Sequence, residues 1–228
     1  EILMVRRSGA SHFVPHAYVF PGGTVDESDY ADRTLARVRG LDAPSFEAQF
    51  RMDDPVDSAG RRALAVAALR ELYEEAGVLL ACGADGGTVA VDVEPTRAPF
   101  TETLERLGAY GDASRLTLFS QWITPPAYPK RYNAHFFLAA AGSDQQAQAD
   151  AVETHDGVWI APADALARSE RDEFSLVYPT IKHLERLAAF DDLDALLAFA
   201  RTKSIRTVMP DTPGEARFSL PGDVELTW

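Results

Sequence analysis

The chain is short of cysteine and of long apolar runs, and each shortage excludes a class of protein. Cys82 stands alone among 228 residues, which excludes an intramolecular disulfide and indicates a reducing compartment. Since Cys82 follows an apolar run, we interpret it as a small buried side chain. No apolar run approaches the roughly 20 residues that cross a bilayer. The composition therefore predicts a soluble, cytoplasmic protein with no membrane partner.

Positive charge is also scarce. There are 22 Lys and Arg residues against 35 Asp and Glu residues, which gives a formal net charge of −13. A groove that binds nucleic acid through bulk electrostatics needs a basic surface, so no nucleic-acid partner is expected. At this length, a hydrophobic content of 46% is enough for one domain with a full core.

The most informative stretch is residues 70–78, Arg-Glu-Leu-Tyr-Glu-Glu-Ala-Gly-Val. On a helix, Glu71, Glu74 and Glu75 have the spacing i, i+3 and i+4 and share one face. Like charges at this spacing repel each other, whereas three neighbouring oxygen ligands suit a divalent cation such as Mg²⁺. A solvated acidic face ended by a glycine is the alternative interpretation.

A second stretch, residues 19–25, reads Val-Phe-Pro-Gly-Gly-Thr-Val. Consecutive glycines allow the backbone to approach a ligand or an ion closely. Together the two stretches resemble the two halves of a Nudix box. That family pattern is Gly, five residues, Glu, seven residues, then Arg-Glu-apolar-any-Glu-Glu-any-Gly-apolar. The second half matches this chain at every fixed position.

The chain departs from the family pattern between the two halves. Arg70 lies 47 positions after Gly23, so roughly 33 extra residues separate them. The intermediate glutamate has no clean counterpart, because counting forward from Gly23 gives Asp29 and counting back from Arg70 gives Arg62. The chain resembles the Nudix subgroup of peroxisomal coenzyme A diphosphatases in three features. They are an insertion at this place, a Gly-Val-Leu-Leu continuation after the box and a Pro-Lys-Arg-Tyr run.

The resemblance implies an α/β fold, a Nudix-type α/β/α sandwich with a mixed central sheet and the box as a loop–helix–loop. We predict a single domain over residues 1–228, with an inserted segment at about 27–58 and a C-terminal helical extension at about 178–228. Apolar spacing predicts a helix over 61–76 and two consecutive helices over 179–200, with Leu193 among their core residues.

The inserted segment is predicted to be partly helical and to lie over the surface. Leu35, Val38 and Leu41 fit one amphipathic helix, and Phe46 with Phe50 fit another. A disordered linker is the alternative, although the aromatic residues of the segment need burial. A homodimer held by this segment is a further hypothesis.

The resemblance also implies a set of site residues. The predicted metal ligands for Mg²⁺ or Mn²⁺ are Gly23, through its carbonyl, and Glu71, Glu74, Glu75 and Glu153. The predicted catalytic residues are Arg70, Glu71 and Glu74, with Arg70 expected to orient a carboxylate of the box. The general base is left open between Glu71 and Glu153, and an ordinary surface acid is the alternative for Glu153.

Basic and aromatic residues are candidates for substrate contacts. They are Arg6, Arg7, Gly22, Lys130, Arg131 and Tyr132. Arg7, Ser8 and the Phe-Pro-Gly-Gly turn match part of a coenzyme A signature, but His12 and His16 replace its second arginine and its glycine. Lys130 and Arg131 stand between aromatics and suit phosphate contact and ring stacking; a surface turn is the alternative.

The sequence therefore predicts a metal-dependent hydrolase that cleaves the diphosphate of a small nucleoside diphosphate derivative. Coenzyme A or an acyl-coenzyme A is the first candidate substrate, and ADP-ribose and NADH are the alternatives. A hypothesis from a different class is a module that binds a nucleotide without cleaving it. Such a module usually loses box carboxylates, whereas this chain retains them.

Overall fold

The computed structural model describes residues 1–8, 16–87, 89, 98–142 and 154–210. The strands are β1 (Ile2–Arg7), β2 (Tyr18–Val19), β3 (Val38–Arg39), β4 (Ala81–Cys82), β5 (Tyr110–Asp112), β6 (Thr117–Ile123), β7 (Asn133–Leu138), β8 (Thr154–Ile160) and β9 (Thr207–Val208). The α-helices are α1 (Asp32–Leu35), α2 (Pro44–Ala48), α3 (Ser58–Ala76), α4 (Phe100–Leu107), α5 (Pro162–Glu170), α6 (Tyr178–Leu187) and α7 (Leu193–Thr202).

The predicted α/β class is confirmed, although the strands of the described residues do not form one continuous sheet. They form three three-stranded sheets, with the orders β2-β1-β8, β3-β5-β4 and β7-β6-β9. The first is antiparallel, whereas β3 runs parallel to β5 and β9 runs parallel to β6. Four of the strands have only two residues, so their ladders extend for only a few hydrogen bonds.

Helix α3 positions the acidic motif. It starts three residues before the predicted boundary because Asp57 caps it, accepting the backbone N–H of Gly60 at 2.7 Å. It ends at Gly77, whose φ of 69° is the left-handed conformation that glycine adopts most readily. The inward face of the helix joins the main core through Val66, Leu69 and Tyr73.

The inserted segment is partly helical and its Phe46 and Phe50 side chains are buried, as predicted, but it also contributes to the main core instead of only covering the surface. Val38, Leu41, Phe46 and Phe50 are all at least nine-tenths buried and pack in the same cluster as α3. The prediction of one helix through Leu35, Val38 and Leu41 is wrong. Helix α1 ends at Leu35, and Val38 opens β3, where pairing with β5 satisfies its backbone.

The C-terminal part contains the two predicted helices, α6 and α7. Leu184, Leu187 and Leu196 are buried, but Leu193 is 49% exposed, so its assignment to the core is wrong. Leu193 is the first residue of α7, directly after the capping Asp192, and it faces outward. Residues 211–228 of the predicted extension lie outside the described residues. Cys82 is buried in β4, as predicted.

Candidate active site

The glycine turn that follows β2 lies against the C-terminal half of α3. The backbone N–H of Gly22 donates to Glu75 Oε2 at 2.8 Å. A Cβ atom added at Gly23 would lie 2.3 Å from Glu71 Oε1, so only glycine fits there without moving the glutamate. The two stretches that resemble the halves of a Nudix box are therefore in direct contact.

Arg70 is the centre of the polar contacts at this site. Its Nε and Nη2 donate to the two carboxylate oxygens of Asp29, both at 2.9 Å, in the bidentate geometry of a strong ion pair. Its Nη1 donates to Glu71 Oε1 at 2.7 Å and to Glu74 Oε2 at 3.2 Å. One guanidinium thus contacts two of the three glutamates of α3 that were predicted to bind metal.

Asp29 is the site residue to which sequence reasoning gave no role. Its side chain is fully buried, and Oδ2 also accepts the backbone N–H of Asp26 at 2.9 Å. Of the two positions that the spacing offered for the intermediate acid, Asp29 pairs with Arg70, whereas Arg62 pairs with Asp42. The count of six from Gly23 was the signal that could have identified Asp29.

The electrostatic environment keeps the arginine charged. Burial lowers the pKa of Arg70, but the hydrogen bond to Asp29 and the negative charges of Glu71 and Asp29 outweigh it, so that this pKa is raised overall. On the loop side, the hydrogen bond from the Ser28 hydroxyl lowers the pKa of Asp26 below its ordinary value. The one positive charge of Arg70 is therefore shared among Asp29, Glu71 and Glu74, and the site keeps a net negative charge.

Glu74 links the site to the next helix. While one oxygen accepts from Arg70, the other accepts the backbone N–H of Phe100, the first residue of α4, at 3.4 Å. The Glu74 side chain is 36% exposed, whereas that of Glu71 is only 13% exposed. Of the two, Glu74 is therefore more accessible to a ligand arriving from solvent.

The donor atoms at the site are those that Mg²⁺ or Mn²⁺ prefers, because carboxylates supply hard oxygens. The missing side chain at Gly23 also lets the loop approach Glu71 closely. In the arrangement described here, Glu71 and Glu74 face Arg70, and Glu75 faces the N–H of Gly22. Across the described residues, no three His, Cys, Asp or Glu side chains are grouped so as to hold a metal ion. Glu153 lies outside those residues.

Two predicted substrate residues lie on β1. Arg6 pairs with Tyr18 of β2, and the backbone N–H of Arg7 donates to Ala17 O at 3.0 Å. The short hairpin partner β2 leads directly into the glycine turn, with Gly22 three residues after Val19. The fold therefore connects Arg6 and Arg7 to the loop that contacts α3.

The other predicted substrate residues lie between β6 and β7. Arg131 Nε donates to Thr124 O at 2.8 Å, and the backbone N–H of Tyr132 donates to Thr124 Oγ1 at 3.1 Å. Lys130 is exposed, and its Nζ lies 5.1 Å from the centroid of the Tyr132 ring. Arg131 thus closes its own loop through Nε, and both Lys130 and Arg131 are exposed to solvent.

Comparison with known proteins gives a consistent family assignment. The family model described as the NUDT19 Nudix domain matches residues 1–187. The acyl-coenzyme A diphosphatase NUDT19 of Gallus gallus is 27% identical over 249 residues, which cover 90% of this chain and 65% of that protein. The putative nudix hydrolase 7 of Caenorhabditis elegans is 26% identical over 230 residues, covering 98% of this chain and 68% of that protein.

A solved structure agrees with the fold. The crystal structure of a NUDIX hydrolase from Alicyclobacillus acidocaldarius superposes with a TM-score of 0.67 at 26% sequence identity, covering 86% of each chain. The chain nevertheless spans only 65% of the length of the chicken protein that it matches. The likeness thus concerns a part of the relative rather than the whole of it.

Proposed function

Since this chain belongs to the family of the NUDT19 Nudix domain, we propose that it is a metal-dependent Nudix diphosphatase acting on coenzyme A or an acyl-coenzyme A. The contact between the glycine turn and α3 carries the proposal. Gly23 has no side chain that would displace the Glu71 carboxylate beside it, and the backbone N–H of Gly22 donates to Glu75. The likeness to acyl-coenzyme A diphosphatases supports the substrate class.

In this proposal, Glu71, Glu74, Glu75 and the carbonyl of Gly23 would hold Mg²⁺ or Mn²⁺. The bound cation would neutralise phosphate charge and lower the pKa of a water molecule. Arg70 is a positioning residue, since it holds Glu71 and Glu74 from one side while Asp29 fixes its guanidinium. Glu153 remains a candidate additional ligand.

The reaction is a hydrolysis. Water attacks one phosphorus atom of the diphosphate, the bridging P–O bond breaks, and two phosphate monoesters leave. The attacking water must lose a proton, and a carboxylate oxygen of Glu71 is the first candidate to accept it, with Glu153 as the alternative. Glu71 suits this task because it is mostly shielded from solvent and lies beside the glycine turn.

The rest of the substrate would be held by Arg6, Arg7, Gly22, Lys130, Arg131 and Tyr132. Arginine pairs well with phosphate oxygens, and a tyrosine ring can stack on a purine. The exposed Lys130 and the Tyr132 ring are neighbours, so together they offer a cation and an aromatic surface.

The test is a substrate panel of coenzyme A, an acyl-coenzyme A, ADP-ribose and NADH, each with Mg²⁺ or Mn²⁺ and with products resolved by mass. We expect coenzyme A to yield phosphopantetheine and adenosine 3′,5′-bisphosphate. Glu74→Gln should abolish turnover. Glu47→Gln is the matched control, because Glu47 pairs with Arg61 away from the site.

Two outcomes would replace the proposal. Preferred cleavage of ADP-ribose or NADH would keep the chemistry and change the substrate. Tight binding of a nucleotide by calorimetry, with no product from any substrate and either metal, would instead indicate a non-catalytic binding module.

Membership of a larger assembly is a separate question. None of the described helices is long and apolar enough to cross a membrane. The proposed substrate is a small molecule, and no nucleic-acid partner is proposed. A homodimer remains a hypothesis, and light scattering on the intact chain in dilute solution would decide between a monomer and a dimer.

A further inference from the structure

The outer face of the small sheet β3-β5-β4 carries two arginines around one tyrosine. Arg39 Cζ lies 4.1 Å from the centroid of the Tyr110 ring, and Arg37 Cζ lies 5.5 Å from it. Arg37 and Arg39 flank Val38 in sequence, so strand alternation directs both away from the core that Val38 joins. Two guanidinium groups therefore converge on the same ring.

The backbone beneath these side chains is firmly held. The N–H of Gly111 donates to the carbonyl of Arg37 at 2.8 Å, and Val38 and Arg39 are paired with Gly111 and Asp112. Both arginines are partly buried, and contact with the aromatic ring limits their freedom. A ligand would therefore meet two charged groups that are already ordered, which lowers the entropic cost of binding.

The nearby carboxylates already have other partners. Both oxygens of Glu105 accept from Arg33, at 3.0 and 2.6 Å. Asp112 Oδ1 accepts from the backbone N–H and the hydroxyl of Ser114, at 3.1 and 2.5 Å. Within the described ranges of the chain, no ion pair joins Arg37 or Arg39 to a carboxylate.

This arrangement contrasts with the composition of the chain. Carboxylates outnumber basic residues so strongly that the net charge is −13, yet in the described parts neither Arg37 nor Arg39 forms an ion pair, and Glu105 interacts with Arg37 only from beyond ion-pair distance. A cation–ring contact alone needs one guanidinium, and the second adds repulsion that an anion bound to both would relieve. Two guanidinium groups that contact one ring can each donate to a phosphate group bound beside that ring.

The cluster is also separate from the candidate active site. Glu74 contacts the first residue of α4, whereas Glu105, which lies near Arg37, is in the last turn of the same helix. A helix of 8 residues is about 12 Å long, so the two places lie at opposite ends of α4.

We propose that Arg37, Arg39 and Tyr110 form a phosphate-binding site on this face, with the two guanidinium groups as donors and the ring as their support. The ligand is a phosphate monoester. It is carried either by the substrate at a point remote from the diphosphate or by a free phosphorylated metabolite.

The test is a titration of the metal-free protein with inorganic phosphate and with adenosine 3′,5′-bisphosphate, following the arginine Nε–H signals by NMR. We expect the Arg37 and Arg39 signals, assigned with single variants, to shift with added probe. The double variant Arg37→Gln/Arg39→Gln should bind adenosine 3′,5′-bisphosphate about tenfold more weakly or worse by calorimetry.

The matched control is Arg168→Gln/Arg171→Gln, which removes the same charge and likewise includes one arginine stacked on an aromatic ring, that of Phe174. It should bind the probe as the unmodified chain does. Equal losses in both double variants, or Arg37 and Arg39 signals that do not move in the unmodified protein, would overturn the proposal. The NMR titration of the unmodified protein tests the proposal even if the double variant folds poorly.

Kinetics then identify the source of the phosphate. If it belongs to the substrate, the KM of the double variant rises for coenzyme A and stays unchanged for dephospho-coenzyme A, which lacks the phosphate monoester. If it is a free metabolite, both KM values stay unchanged while probe binding is lost. Because the titration needs no turnover, failure of the proposed diphosphatase activity would leave this test standing.

Discussion

The two halves of α3 use the same residue types in different ways. In the N-terminal half, Arg61 and Arg62 pair with Glu47 and Asp42 of the inserted segment, and the Arg62 and Asp42 side chains are 38% and 78% exposed. In the C-terminal half, Arg70 is only 11% exposed and holds the fully buried Asp29. Both sets attach the inserted segment to the helix, but the second also organises the candidate active site.

The two sets of ion pairs differ in burial, and burial determines how much each pair affects stability. An exposed ion pair contributes about 0–1 kcal/mol to stability, because water already solvates both charges. Removing one partner of a buried pair costs about 3–5 kcal/mol, because the remaining charge is left without solvent or partner. The comparison therefore predicts unequal effects for chemically equal substitutions along one helix.

The largest effect is expected for Asp29→Asn. It removes the charge that Arg70 contacts through Nε and Nη2, while Glu71 and Glu74 still contact Nη1, so we expect the free energy of unfolding to fall by about 1–3 kcal/mol. Turnover should fall with it, because Glu71 and Glu74 lose a fixed partner. Denaturant unfolding of Asp29→Asn and of the control Asp42→Asn measures the contrast, and equal losses of stability would contradict it.

The next effect is expected for Gly23→Ala. The new methyl group would overlap the Glu71 carboxylate and push it from its place, so we expect kcat to drop about a hundredfold. Stability should change less than in Asp29→Asn, since the Asp29–Arg70 pair remains. A variant with normal kcat would show that Glu71 is not held against this loop during turnover.

A third effect concerns metal binding. If the carboxylates of the C-terminal half bind Mg²⁺, free metal at a hundred times its Kd should stabilise the protein by about 2.7 kcal/mol. Thermal unfolding with and without EDTA measures this shift. Glu74→Gln should remove it and Glu47→Gln should retain it, so a shift that survives in Glu74→Gln would place the metal elsewhere.

The smallest effect is expected for the Arg62–Asp42 pair. A double-mutant cycle with alanine should give a coupling free energy of about 0.2–1 kcal/mol, which should largely disappear at 1 M salt because both groups face solvent. A coupling that is larger or insensitive to salt would mean that the two halves of α3 differ less than their exposure indicates.

Sequence reasoning worked best where the signal was local. The apolar spacing of α3 and the glycine after it are properties of neighbouring residues, and the structure confirms both. The contact between the glycine turn and Glu71 could be predicted only because the motif resembles that of a known family. Periodicity alone gives no information on which loop meets which helix.

The features that the sequence did not predict depend on contacts between distant parts of the chain. Val38 looked like one position of an amphipathic helix, but it forms a strand because β5 offers it a partner at Gly111. The ion pair between Asp29 and Arg70 likewise depended on the folded path of the segment between them. Such pairings are decided by tertiary packing, which overrides local preference.

The bidentate contact between Asp29 and Arg70 joins residues 41 positions apart and so closes a loop in the chain. The entropy lost on closing a flexible loop grows only with the logarithm of its length, and doubling the length adds about 0.6 kcal/mol. Insertions and deletions between the two ends are therefore thermodynamically cheap, provided that the ends still meet and the packed aromatic residues are kept. The spacing that defines the motif in sequence is thus free to drift while the ion pair stays in place.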